Sequence, residues 1–376
     1  MDNAATTPLL PEVAEKMFHL LKSEFGNPSS IHSLGRKTKT LVENARKEIA
    51  NYLEVKPGEI FFTSGGTEAD NMVLSRAFYD LGVNHFISSE IEHHAVLHAI
   101  DYLKTLPNPP STEMVKLKDN GHVDLAALEE ALAEAAKAGK KTLVSLMHAN
   151  NELGNLLPLK EVGEICNRYG AIFHSDTVQT IGYLPIKPKE VGLHFLAASA
   201  HKFNGPKGVG FVYIDNDLRV KPFIYGGSQE RNMRGGTENV AGIIGMAEAL
   251  KISVDQMEEK KDHIKALKDY MINQLQSSFE NIRFNGDTTG ASHFTVLSVS
   301  FPKGNNGEML LFNLDIEGIC VSGGSACSSG SDIGSHVLAA LNHPADYVPV
   351  RFSFGKHNTK AEVDTVIEKL KTILKV

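Results

Sequence analysis

Tryptophan is absent from this chain of 376 residues, and cysteine occurs only three times. An odd, small cysteine count argues against a disulfide framework and for a reducing compartment. Long apolar runs are missing too. Those present are strand-sized and broken by polar residues, far short of the ~20 residues a membrane span requires. Basic charge is not in excess: 38 Lys and Arg against 45 Asp and Glu leave a net charge of -7. Neither a nucleic acid nor an anionic membrane is therefore expected as a partner. The opening, Met1-Asp-Asn-Ala-Ala-Thr-Thr-Pro8, has neither the basic region nor the apolar stretch of a targeting signal, so cytoplasm is the expected location.

What is there is the pattern of a folded α/β protein. Length favours two domains. Leu41, Val42, Ala45, Ile49, Tyr52 and Leu53 recur at helical spacing and are stopped by Lys56-Pro-Gly58. Short strands are expected at Glu59 to Thr63, His85 to Ser88, Thr142 to Met147, Ala171 to Ser175 and Phe195 to Ser199. Alanine- and glutamate-rich helices such as Leu125 to Ala138 separate several of them. This alternation predicts a mainly parallel sheet flanked by helices. The expected large domain covers residues 13–255. Residues 1–12 and 256–376 form a smaller α+β domain, with strands at Thr295 to Phe301 and Val350 to Phe354. Its closing helix is introduced by Thr359 and Glu362 at capping-box spacing.

Lys202 is the most informative residue. It follows the apolar strand Phe195 to Ser199 and precedes a Gly/Pro-rich turn, from which a second strand, Val209 to Ile214, departs. Asp176 ends another buried strand. Between strand and helix, Thr63-Ser-Gly-Gly-Thr67 presents backbone N–H groups and a hydroxyl, an anion cradle including Gly66 and Thr67. Each has a bland reading alone: a solvated terminus, a turn starter, an ordinary βα turn. Together they supply a Schiff-base amine, a partner for a pyridinium nitrogen and a phosphate site at strand carboxyl ends, which is what pyridoxal phosphate requires.

His93 follows another strand and can lie over a pyridine ring or simply start a helix. It and His94 point different ways on a helix, so no metal pair is expected. Ser199 and His201 stand near enough to bond a phosphate. Cys327 lies in Ser322 to Ser335, a stretch almost entirely Ser, Gly, Ala and Asp; this predicts a mobile loop with a candidate nucleophile. Cys320, in an apolar strand, and Cys166, on a helix, are expected in the core. Arg351, among apolar neighbours, needs an anion: a bidentate carboxylate ligand or a structural salt bridge. Pro349 puts the start of that strand just after it, or the strand at a sheet edge.

These motifs together resemble the cysteine desulfurases, fold-type I pyridoxal-phosphate enzymes. The resemblance runs through Asp2 to Pro8, Gly26 to His32, Thr63 to Glu68, Glu92 to Val96 and Met147 to Gly154. It continues through His174 to Gln179, Ser199 to Lys202, Arg234 to Asn239 and Ser325 to Cys327. Ser-Ala-Cys on a longish loop is similar to the subgroup serving iron–sulfur cluster assembly. The chain opens at the family's Asp-Asn-Ala-Ala-Thr-Thr motif and stops soon after the last helix, without the scaffold-docking extension of some members.

The resemblance implies that Lys202 is the Schiff-base lysine and Asp176 the pyridinium partner, with Gln179 on the ring hydroxyl and His93 stacked on the ring. Gly66, Thr67, Ser199 and His201 would hold the phosphate. Thr237 would serve the neighbouring subunit's phosphate, which implies a homodimer with shared sites. Asn151 and Arg351 would bind the carboxylate of L-cysteine, and Cys327 would take its sulfur, with His93 a candidate for proton handling. A protein sulfur acceptor, scaffold or carrier, is implied. The alternatives are a selenocysteine lyase, another lyase or aminotransferase of this fold, and an inactive scaffold.

Overall fold

The computed structural model describes residues 1–304, 307–324 and 334–375. Cys327, and with it most of the expected loop, lies outside the described residues. The chain opens with α1 (Pro11–Ser23) and α2 (Ser33–Leu53), followed by β1 (Ile60–Thr63), α3 (Gly66–Leu81), β2 (His85–Ser88), α4 (His94–Lys104) and β3 (Ser111–Met114). α5 (Leu125–Lys137), β4 (Thr142–Ser145), α6 (Leu159–Arg168), β5 (Ile172–Asp176), β6 (Phe195–Ser199) and β7 (Gly210–Ile214) complete the alternating part. α7 (Val240–Asp255) and α8 (Met257–Ser278) lead to β8 (Arg283–Phe284), β9 (Val296–Pro302), α9 (Leu310–Ile316), α10 (His336–Ala340), β10 (Tyr347–Ser353) and α11 (Lys360–Leu374).

The strands form one seven-stranded sheet in the order β1-β7-β6-β5-β4-β2-β3. Only β7 runs against its neighbours β1 and β6; the other pairs are parallel. The expected mainly parallel α/β sheet is therefore present, with β3 as an edge strand the sequence pattern missed. Its alternating burial, exposed then half-buried, hid it.

Side-chain alternation along each strand splits the core in two. Phe62, Val144, Phe173, Leu196, Phe211 and Tyr213 face one side, against α2, α5, α6 and α7. Phe61, Phe86, Leu143, Ile172, Phe195 and Val212 face the other, against α3 and α4. Both faces are covered, which is why these strands read as continuous apolar runs.

A second sheet has the order β10-β9-β8, all antiparallel. β10 runs through Pro349 and lies at the sheet edge, the second of the two placements expected for it. α11 carries the expected capping box, Thr359 with Glu362. Cys166 is buried on α6, as expected. Cys320 corrects the reading: it is exposed and in no strand. Its buried neighbour Ile319 fills the core position, and the Cys320 carbonyl accepts a hydrogen bond from the Met1 amine.

The N-terminal segment joins both sheets. Asp2 bridges to Ser353, and the Ala4 N–H donates to Ser353 Oγ. Thr7 N–H donates to the His201 carbonyl, and Asn204 Nδ2 to the Pro8 carbonyl.

Candidate active site

Parallel strands deliver their last residues to one sheet edge, and there a cavity of about 440 Å³ opens. Its lining includes Gly66, Thr67, His93, Asn151, Asp176, Gln179, Ser199, His201, Lys202 and Arg351. The structure thus brings together the expected site residues except two. Cys327 lies outside the described residues, and Thr237 sits exposed on a separate small cleft with Glu230 and Arg234.

The cradle forms because β1 ends beside β7, with Thr63 opposite Gly210, and β7 in turn pairs Gly210 with Ser199. A Cβ at Gly210 would lie 2.3 Å from the Ala198 carbonyl oxygen and 2.8 Å from Gly65 Cα. Glycine there is what lets the turn at Gly65 touch the strand that leads to Lys202. Gly65 takes φ 155°, ψ -173°, a conformation available essentially to glycine, and starts α3, whose first residues Gly66, Thr67 and Glu68 line the cavity. Glu68 secures this turn: it accepts from Ser64 N–H at 2.8 Å and pairs with Arg234 through two hydrogen bonds. Burial works against its charge, but Arg234 and Ser64 outweigh it and keep the carboxyl below its ordinary range.

Lys202 Nζ donates to the carbonyls of Ala4 at 2.6 Å and Ala5 at 2.9 Å. Gln179 Nε2 donates to the same Ala4 carbonyl at 3.1 Å. Tyr183, buried, donates its hydroxyl to the Lys202 backbone carbonyl at 3.1 Å and so holds the residue's main chain. His93 caps α4, its Nδ1 accepting from Ala95 N–H at 3.1 Å, so the helix-start reading holds, and the residue also lines the cavity. Burial first, then the Lys202 charge, pushes its imidazole down to about 4. His201 is lowered to about 4 by burial, Lys202 and Lys207. Both rings are therefore neutral near pH 7.

Three buried carboxyls surround the strand ends. Burial lifts Asp176 to about 6, opposed by the Val178 N–H bonded at 2.8 Å and by the Lys202 charge. Asp70, on α3, is held well above the carboxylate range by burial, then by Asp176 and Glu92. Glu92 is also raised by burial; the Met147 N–H bonded at 2.9 Å opposes this and Asp176 adds to it. Asp176, facing Lys202, is thus the member that ionises most readily, the pattern that separates one carboxylate from neutral neighbours. Asp70 and Glu92 were missed from the sequence. Asp70 lies on the buried stripe of α3 with Gly66, Ala69 and Val73, and a carboxyl on an apolar stripe was the available signal.

Arg351 is buried, donating Nη2 to Asp2 Oδ1 at 2.9 Å and Nη1 to the Asn151 carbonyl at 3.0 Å. Its Nε is buried without a partner among the described residues, and the side chain lines the cavity. The salt-bridge alternative is therefore present, with one buried guanidinium N–H left unpaired among the described residues. Ser335, one residue after the described chain resumes at Gly334, donates its hydroxyl to Glu152, and His336 Nε2 lies 2.9 Å from the Glu92 carbonyl.

These residues fit pyridoxal phosphate. A glycine-lined cradle, a buried carboxyl raised only to about 6, an amine and a ring-sized cavity converge at one sheet edge.

The comparisons agree. A family model described as Aminotransferase class-V matches residues 1–366. A cysteine desulfurase IscS from Dictyoglomus turgidum is 42% identical over 99% of this chain and 95% of its own. A putative cysteine desulfurase IscS 1 from Bacillus subtilis is 40% identical over 100% of this chain and 98% of its own. Among solved structures, a NifS-like protein superposes with a TM-score of 0.90 at 35% identity, covering 100% of this chain and 98% of that one. Another, from Rickettsia africae, gives a TM-score of 0.88 at 32% identity, covering 100% and 99%. With a whole-length match in sequence and fold, this chain belongs to the cysteine desulfurases of the class-V aminotransferase family, pyridoxal-phosphate enzymes of α/β fold.

Proposed function

We propose that this chain takes the sulfur of L-cysteine onto Cys327, releasing L-alanine and leaving a Cys327 persulfide. The observation that carries this reading is the convergence of Lys202, Asp176 and the glycine cradle on one cavity that Arg351 also lines. Bound pyridoxal phosphate supplies an aldehyde for an amine and a ring that accepts the electron pair left when Cα loses its proton.

Each side chain then has a task. Lys202 Nζ would hold the cofactor through its aldehyde and, as a free amine, would serve as the base that removes the Cα proton. Asp176 would keep the pyridine nitrogen protonated. Gly66, Thr67, Ser199 and His201 would hold the phosphate, Gln179 would bond the ring hydroxyl oxygen and His93 would cover the ring. A neutral His93 is suited to passing a proton without repelling Lys202. Asn151 and Arg351 orient the substrate carboxylate, and their place in the cavity lining supports this. The Cys327 thiolate forms the new S–S bond as the substrate C–S bond breaks.

The proposal includes a homodimer in which Thr237 bonds the phosphate of the neighbouring subunit. Gln229 Nε2 bonds Ser29 Oγ at 3.3 Å, so the arm leading to Thr237 lies beside a surface that exposes Phe25 and Ile31. α1, just before it, exposes Phe18 and Leu21. Such apolar exposure is what a second copy would cover. We assign residues 13–255 to a large domain, and residues 1–12 and 256–376 to a small domain that carries Cys327. A protein scaffold or carrier for iron–sulfur assembly is the proposed sulfur acceptor. Among the described residues no helix is long and apolar enough to cross a membrane, and the cytoplasm is the proposed location.

The test is the absorption spectrum of the cofactor-loaded protein before and after L-cysteine and a reductant, with sulfide and alanine quantified. A spectral shift with equal release of both supports the proposal. A shift without sulfide transfers the activity to another lyase or to an aminotransferase, and faster turnover of selenocysteine than cysteine to a selenocysteine lyase.

A further inference from the structure

Residues Glu230, Arg231 and Asn232 hold φ angles of 45°, 54° and 67° in succession. A run of left-handed, non-glycine residues is costly for L-amino acids and persists only where surrounding contacts impose it. Those contacts centre on Glu230. Its carboxylate accepts Arg46 Nη1 and Nη2, each at 2.8 Å, and Oε2 also accepts the Phe62 N–H at 2.7 Å. Arg46 donates further to the Ile60 carbonyl at 2.8 Å and lies 4.4 Å over the Phe62 ring. Arg46 and Glu230 are both buried.

Glu230 therefore touches two things at once. One is β1, two residues before the phosphate turn begins at Ser64. The other is the strained arm, which continues to Arg234 on Glu68 and then to Thr237. Gln229 Oε1 accepts Gly236 N–H at 3.1 Å and closes the arm into a loop, fixing where Thr237 emerges. From this we infer that Glu230 is a positioning residue for the cofactor phosphate of the neighbouring subunit: its pairing with Arg46 and Phe62 holds the left-handed turn that presents Thr237. The inference rests on the proposed reading of Thr237 and adds the residue that sets its place.

The experiment uses full-length heterodimers carrying two tags, with one subunit marked by Lys202→Ala so that only the other keeps the cofactor lysine. The variant is placed in the Lys202→Ala subunit, and the readout is the dissociation constant of pyridoxal phosphate for the intact site. Hydrogen exchange across residues 229–237 is measured alongside. Thr237→Ala in that position tests the underlying reading, and Glu230→Gln tests the inference. Glu230→Asp is the second variant. It keeps Arg46 paired with a charge, so the protein folds, yet is too short to reach Arg46 and Phe62 together.

Loss of one phosphate hydrogen bond predicts about a tenfold weaker dissociation constant for each, with faster exchange in the arm for the Glu230 variants. If Thr237→Ala weakens the opposite site while neither Glu230 variant does, the inference is overturned and the Thr237 reading stands. If Thr237→Ala has no effect on the opposite site, that reading fails and the inference with it.

Discussion

The side-chain amine of Lys202 donates to the carbonyl of Ala4 at 2.6 Å, across 198 residues of chain. A residue in the turn just after β6 is thereby tied to the segment that also joins β10 through Asp2 and Ser353. Lys202 and the N-terminal motif form one hydrogen-bonded unit.

Lys202→Ala should abolish sulfide release and leave the fold intact, because its amine faces a cavity and not the core. Borohydride treatment of the loaded protein should trap cofactor on the parent chain and none on the variant, read by mass spectrometry. Trapping at another lysine would refute the assignment.

Asp176→Asn should lower turnover by about a hundredfold or more, since the ring loses the charge that keeps it an electron sink. The apoprotein gives an independent check. The folded-state value near 6 lies above the ordinary 3.8, so Asp176 stabilises the apoprotein fully only below about 4. That contribution is lost as pH rises through about 6. Asparagine does not titrate, so the melting temperature of the variant should gain on the parent between pH about 4 and about 7. A constant difference across that range would contradict the raised carboxyl.

Cys327→Ser should stop persulfide formation while leaving the cofactor spectrum and its dissociation constant unchanged. Alanine release at the parental rate would remove Cys327 from the nucleophile's role.

Gly210→Ala should destabilise the protein by about 1–3 kcal/mol, because the added methyl meets backbone on both sides and neither atom can step aside. Weaker cofactor binding should accompany the lower melting temperature, since the displaced neighbour is Gly65 of the cradle.

Thr359→Ala serves as a contrast. It removes the hydroxyl that accepts Glu362 N–H at 3.3 Å and should cost about 1 kcal/mol of stability. The kinetic constants for cysteine should stay at parental values.

Features that depend on short stretches of chain could be read in the sequence. Thr359 and Glu362 announce α11 because a capping box is closed within four residues. The α/β class follows from strand and helix periodicities, each contained in one element. Lys202 and Asp176 were legible because a residue at the carboxyl end of a parallel strand has only one sheet edge to face. Pairings across long separations were not. The order β1-β7-β6 decides that Gly210 meets Gly65, and no local pattern encodes it. Arg351 finds Asp2 from 349 positions away, and Glu230 finds Arg46 from 184. Cys320 reads as a core residue until the placement of Ile319 turns it outward. Nor could composition say which of the carboxyls Asp70, Glu92 and Asp176 keeps its charge. That depends on the distribution of burial and of Lys202 around them, which only the packed structure sets.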